Sequence, residues 1–305
     1  MVVVVFEGNI YRRLGVFRAV VARVKHLRRA LPERWRVRTV MVQGYDAGLL
    51  RLLHGKPRVT PLPHTLTADG VDIEVRGFRH RLLDGFVQRV CRRQPPLYTR
   101  WLRHLGHELA ATEGLCALSA HDRIAAVAAH EAARQASVPL YITWHGASIY
   151  TDPRRRGYLR QQTADLLSRA TTNFFVSDGL RRLAVDLCPQ LRGEVLPNGA
   201  DNAFRPLSEP ERQHVRAARG IADNTAKVVA FAGRFEAVKN VDLLPVHLCP
   251  TLLLAPWRRT VARACGTEAH RAVRHTAGVR ARTGGTGADA HPVGLCRRVG
   301  ATQPT

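Results

Sequence analysis

Over residues 1–245, short apolar runs alternate with stretches of helical periodicity. Residues 2–6 are uninterrupted Val-Val-Val-Val-Phe, the pattern of a parallel strand buried on both faces. Between residues 11 and 31, apolar side chains fall at Leu14, Phe17, Val21, Val24 and Leu31, which predicts a helix whose arginines form a solvated face. Residues 37–42 and 71–75 read as further strands, and 81–91 and 98–111 as helices. An apolar run at 115–119 is followed by an Ala-rich helical stretch at 124–136. Strands at 140–144 and 174–177 bracket a helix over 155–170, and Val195-Leu196-Pro197 leads into a turn at Asn198-Gly199.

This alternation predicts an α/β fold: a doubly wound, Rossmann-like parallel sheet. Ligands of such sheets bind at the carboxyl ends of the strands, where the strand order reverses. That rule singles out Glu7-Gly8-Asn9, His121, His145 with Gly146, and Ser177. Asp122 follows His121 at a helix start and suits an N-cap. A second sheet is expected to begin at 227–232, after a polar helical stretch at 209–219. From 246 onward the periodicity ends: the segment has no Ile, Phe, Tyr or Lys and only Glu268 and Asp289 as acids. The expected organisation is a first domain at 1–205, the beginning of a second at 206–245, and a disordered basic tail at 246–305.

The formal charge of +23 suggests a nucleic-acid partner, but only four of the 47 basic residues are lysine (Lys25, Lys56, Lys227, Lys239). Arginine excess with abundant Ala, Gly and Pro follows GC-rich coding. Aromatics are 6% of residues and none interleave with the basic stretches, so no base-stacking surface is expected and no specific nucleic acid is assigned. Cys91, Cys116, Cys188, Cys249, Cys265 and Cys296 form no C-x-x-C pair and read as free thiols. His104 and His107 share a helix face but lack further ligands, so no metal site is expected. With no long apolar run and no leader-like start, the expected location is cytoplasmic. The arginine-rich helix at 11–31 could rest on an anionic membrane.

Three constellations carry chemistry. Thr143-Trp-His145-Gly146-Ala-Ser-Ile149 ends a strand, and its glycine permits close backbone approach to a ligand. Val195-Leu-Pro-Asn198-Gly199-Ala-Asp201 follows. Phe231-Ala-Gly233-Arg234 closes the series, with Lys239 five residues beyond the arginine. Together with Phe175-Val176-Ser177, these motifs resemble, in order and spacing, those of family 4 glycosyltransferases of the GT-B fold. The resemblance covers residues 1–245. Each motif also has a plainer reading: a structural histidine at a strand end, solvated surface cations, a turn between domains.

The resemblance implies a retaining enzyme that moves a sugar from a nucleotide-diphosphate donor to a cell-envelope or polysaccharide acceptor, saccharide or lipid-linked, without a metal or other cofactor. His145 would face the donor sugar. Gly233, Arg234 and Lys239 would hold the diphosphate, and Gly8, His121, Gly146 and Asn198 would line the substrate. Two family features are missing: a Gly-rich turn after the first strand, and a Glu-x7-Glu pair after Lys239. Their absence, with the altered composition beyond residue 245, is expected from a shifted reading frame or a truncated copy. Two other functions stay open: a remnant domain without catalysis, and a basic protein bound to nucleic acid or a membrane surface.

Overall fold

The computed structural model describes residues 1–10, 15–46, 62–80, 82–91, 93–200, 204–221 and 228. The chain divides into two units, Met1–Arg205 and Pro206–Thr305. Gly233, Arg234, Lys239, the strand expected at 227–232 and the tail lie outside the described residues.

Unit 1 is built on an eight-stranded sheet in the order β3-β4-β2-β1-β5-β6-β7-β8. The strands are β1 (Val2–Glu7), β2 (Val37–Asp46), β3 (Thr65–Ala68), β4 (Val71–His80), β5 (Ala117–His121), β6 (Leu140–Trp144), β7 (Thr172–Phe175) and β8 (Gly193–Val195). All neighbours pair in parallel except β3 with β4, which form a hairpin. The hairpin turn is Asp69-Gly70, both at positive φ (49° and 77°), the two-residue geometry that Asp-Gly favours. Sequence periodicity missed β3. The expected doubly wound α/β class is the one found.

The helices are α1 (Gly15–Ala30), α2 (Leu82–Arg89), α3 (Pro96–Ala110), α4 (Asp122–Ala136), α5 (Ala147–Tyr150), α6 (Asp152–Arg155), α7 (Gly157–Arg169) and α8 (Asp178–Val185). Side-chain alternation along β1 divides the interior between two cores. Val4 and Phe6 join Phe17, Val20, Val21 and Val24 of α1 in one. Val3 and Val5 join Leu102, Leu105 and Leu109 of α3 and the alanines of α4 in the other. Alanine along α4 lets that helix lie close to both the sheet and α3. Trp144 and Phe175 extend the second core, and the Trp144 indole N–H donates to Asn173 Oδ1 at 2.9 Å, so this large buried ring leaves no orphan donor.

The strand order reverses at β1. The chain winds outward from β1 to β2 and β4, then returns to β1's other side through β5, β6 and β7. A crevice therefore opens at the carboxyl ends of β1 and β5, where the following helices leave toward opposite faces.

In unit 2 the described helix is α9 (Glu209–Ala218). Ser208 and Glu211 form a capping box, the Ser208 N–H donating to Glu211 Oε2 at 2.8 Å, and the helix contributes no buried side chain.

Candidate functional site

Three strand ends meet around the crevice. β1 delivers Glu7, β5 delivers His121 and Asp122, and β6 delivers Thr143, His145 and Gly146. The His121 and His145 rings stack at 5.3 Å between centroids, with Nδ1 of His121 3.0 Å from Nε2 of His145. One proton therefore lies between the two rings. His121 is 3% exposed, so it backs His145 instead of presenting its own ring to a ligand. Burial, with a smaller effect from the Arg23 cation, lowers His145 to about 4. Burial first, then His145 and Arg23, hold His121 well below its ordinary value. Both rings are neutral at pH 7, and so act as hydrogen-bonding groups and not as cations.

Asp122 is not the N-cap expected from sequence. It is the first residue of α4, at a left-handed φ of 63°, and His121 stands at the cap position without a side-chain cap bond. A carboxylate at that φ points back across the crevice, where Oδ1 accepts the His145 N–H at 3.0 Å. Burial raises its carboxyl to about 6, against the lowering effect of that hydrogen bond. Gly146 follows at φ 145° and ψ −70°, a region open only to glycine. Two strained residues on adjacent strand ends thus fix the direction of His145.

Arg23 is a side chain of the candidate site that periodicity missed. The arginines of α1 were expected to be solvated, yet Arg23 is half-buried. One Nη donates to Thr143 Oγ1 at 3.1 Å, and the other to the Leu196 carbonyl and Asn198 Oδ1, each at 3.2 Å. It ties α1 to β6 and to the segment after β8. Asn198 is exposed there, in irregular chain and not in the expected turn.

Glu7 projects to the opposite side of the sheet from Phe6, toward α3 and α4. The residue is exposed at the strand end, yet its carboxyl is crowded by surrounding protein. That desolvation outweighs the Arg123 cation and pushes its carboxyl up to about 7, with solvent screening part of the cost. Arg123, 9% exposed, donates to Gln162 Oε1 at 2.7 Å and to Asp152 Oδ2 at 3.3 Å, while its Nε has no partner among the described residues. No sequence signal beyond position after a strand marks Glu7.

The other expected positions have local roles. Gly8 donates to the Val42 carbonyl at 3.1 Å, and a Cβ there would lie 2.4 Å from Met41 Sδ, so its lack of a side chain admits Met41. Ser177 caps α8, its Oγ accepting from the Leu180 N–H at 3.3 Å. His104 pairs with Glu108 and His107 with Gln135, so the two histidines have separate partners. Among the described residues no three His, Cys, Asp or Glu side chains gather as metal ligands.

No family profile and no curated protein matches the chain. Solved structures do. The Anabaena HepE protein, solved in complex with UDP, superposes with a TM-score of 0.50 at 17% identity, covering 80% of this chain and 56% of its own. A sucrose-phosphate synthase from Thermosynechococcus elongatus gives 0.48 at 13% identity, over 80% and 58%. The lipopolysaccharide outer core galactosyltransferase WaaB gives 0.37 at 10% identity, over 61% and 42%. The chain spans just over half the length of the HepE chain it matches. The HepE likeness agrees with a Rossmann-like fold of the GT-B kind.

Proposed function

We propose that the protein is a glycosyltransferase that moves a sugar from a nucleotide-diphosphate donor to a cell-envelope or polysaccharide acceptor, by the retaining course of family 4. The observation that carries this reading is His145. It is a neutral imidazole after β6, beside the reversal-point crevice of a parallel sheet, oriented through its backbone by Asp122 and through its ring by His121. A neutral ring can donate or accept a hydrogen bond at a sugar hydroxyl without charge repulsion against an oxocarbenium-like centre. The fold likeness to HepE, a protein solved with UDP, supports the same reading.

Bond breaking leaves negative charge on the diphosphate. Arg234 and Lys239, outside the described residues, are the proposed cations there, Arg as a planar fork and Lys as a point charge, with Gly233 admitting the phosphates. The proposed reaction uses no metal or cofactor.

A peripheral contact with anionic membrane belongs to this proposal, at the cytoplasmic face. It is supported by α2 and not by α1, whose apolar face already packs in the core. Leu83, Phe86 and Val90 are 62%, 55% and 64% exposed at helical spacing, with Arg79, Arg93 and Arg100 exposed nearby. No helix among the described residues is long and apolar enough to cross a membrane.

The test is release of nucleoside diphosphate from a panel of nucleotide sugars by the full chain, compared with His145→Ala. The expected result is release from at least one donor, reduced about 100-fold or more by the substitution. No release and no binding of any nucleoside diphosphate would overturn the reading.

A further inference from the structure

A cavity of about 240 Å³ opens between the N-terminal ends of α3 and α4 and the helices α6 and α7. Its lining contains three cations, Arg123, Arg155 and Arg156, and one carboxylate, Asp152. Tyr158 and Tyr98, the latter packed against Phe78 and Trp101, complete the wall. Arg123 and Asp152 are engaged with each other at 3.3 Å. Arg156 makes one hydrogen bond, from Nη1 to the Tyr158 hydroxyl at 3.1 Å, which leaves the rest of its fork uncommitted. Arg155 has no hydrogen-bond or ion-pair partner among the described residues. The buried Nε of Arg123 is likewise unpartnered in this wall.

This arrangement differs from a solvated basic surface in two ways. The free guanidinium groups border a concavity, and the ion pair below them is already satisfied, so an added anion would not need to break it. We propose that this cavity is the acceptor subsite, and that it takes a monosaccharide bearing a phosphate or carboxylate. Arg155 and Arg156 hold the anionic group, while Asp152 and Tyr158 receive the sugar.

The chemistry divides along the wall. A planar guanidinium offers two parallel N–H donors to two anionic oxygens, which is stronger and more directional than a neutral contact. A pyranose presents axial C–H groups to an aromatic ring and hydroxyls to a carboxylate. The volume falls below the roughly 300–1,000 Å³ of clefts that hold drug-sized molecules, so it suits one ring with a substituent, the terminal unit where the acceptor is a longer saccharide. The subsite also lies at the same end of the sheet as His145, where Asp122 connects the two turns. The assignment rests on the glycosyltransferase reading for the word acceptor, but the binding chemistry stands on the cavity alone.

The experiment is direct calorimetric binding to the full chain, with no donor present. Glucose 6-phosphate, glucuronate, glucose and inorganic phosphate are the probes, each up to about 10 mM, which registers even millimolar affinity. Wild type is compared with Arg155→Ala/Arg156→Ala and with Arg155→Lys/Arg156→Lys. The expected result is saturable binding of at least one of the two anionic sugars, at least 10-fold tighter than glucose and than phosphate alone. The alanine pair should lose at least 10-fold of that affinity, and the lysine pair should keep part of it. Equal binding of glucose and glucose 6-phosphate, binding of phosphate as tight as of the sugar phosphate, or no loss in the alanine pair overturns the proposal. So does the absence of any saturable binding. Because donor cleavage is measured separately, a protein that releases nucleoside diphosphate but ignores these probes sinks the subsite and not the enzyme class. The reverse outcome sinks the class and leaves an anionic-sugar site.

Discussion

Asp122 Oδ1 accepts the main-chain N–H of His145 at 3.0 Å, so a single carboxylate fastens the turns that follow β5 and β6. The left-handed φ of Asp122 costs local strain, which the bond across the crevice offsets. Asp122→Ala keeps the unfavourable φ and orphans a part-buried N–H. It should lose about 1–3 kcal/mol, read as a lower urea midpoint at unchanged slope. Asp122→Asn keeps an acceptor oxygen and tolerates the left-handed region, and should retain most of that stability.

Gly146 has open space where a Cβ would stand, with no atom within 4 Å. Sterics of packing therefore do not require glycine; the backbone at φ 145° does. Gly146→Ala should cost about 1–3 kcal/mol and move the His145 ring resonances, seen by thermal melting and by imidazole NMR. An alanine variant with wild-type stability and unmoved His145 resonances would contradict this.

Much of the sheet could be read from the chain because parallel strands buried on both faces need unbroken apolar runs. β6 at Leu140–Trp144 is predicted to the residue, and His145 and Gly146, which the strand-end rule singled out, follow its end. The β3–β4 hairpin escaped because Thr65–Ala68 is half polar, though Asp69-Gly70 was a usable turn signal. Arg23 escaped for a different reason. Nothing within its own helix separates it from Arg18 or Arg28; its partners Thr143 and Asn198 arrive far later in the chain. Glu7 and Arg123 likewise acquire their character only when α3, α4 and α6 close around them.

Arg23→Gln tests that long-range role. Removing the cation eliminates a lowering influence on His145, whose titration should move up from about 4 toward the ordinary 6.5. The loss of bonds to Thr143, Leu196 and Asn198 should also cost about 1–2 kcal/mol. Histidine NMR titration reads the first effect and urea unfolding the second. A His145 titration that stays in place would show that burial alone sets its protonation.

Helix α2 gives a separate prediction for membranes. Leu83→Ser/Phe86→Ser/Val90→Ser removes the exposed apolar stripe without touching a buried side chain. Wild type should sediment with vesicles containing anionic lipid and not with neutral ones, and the triple variant should lose most of that binding. Equal sedimentation of both proteins would remove α2 from the membrane proposal.

The crevice also sets how stability responds to pH, because its groups shift in opposite senses. Glu7, raised to about 7, and Asp122, raised to about 6, bind protons more tightly folded than unfolded. Their influence favours the folded state at low pH and declines as pH rises through 4.5–7 and 3.8–6 respectively. His145, lowered to about 4, and His121, lowered by burial, bind protons less tightly when folded. They favour the folded state above pH 6.5 and withdraw that support as pH falls toward 4. Between pH 4.5 and 6.5 the two slopes oppose, so wild type should show a shallow profile. Glu7→Gln removes part of the falling branch: its stability relative to wild type should be higher at pH 8 than at pH 4.5. His121→Asn/His145→Asn removes the rising branch, so its stability should fall as pH rises from 4.5 to 6.5. Urea midpoints measured across pH 4–8 for the three proteins decide the matter, and parallel profiles would mean these four groups do not titrate in the opposite senses described.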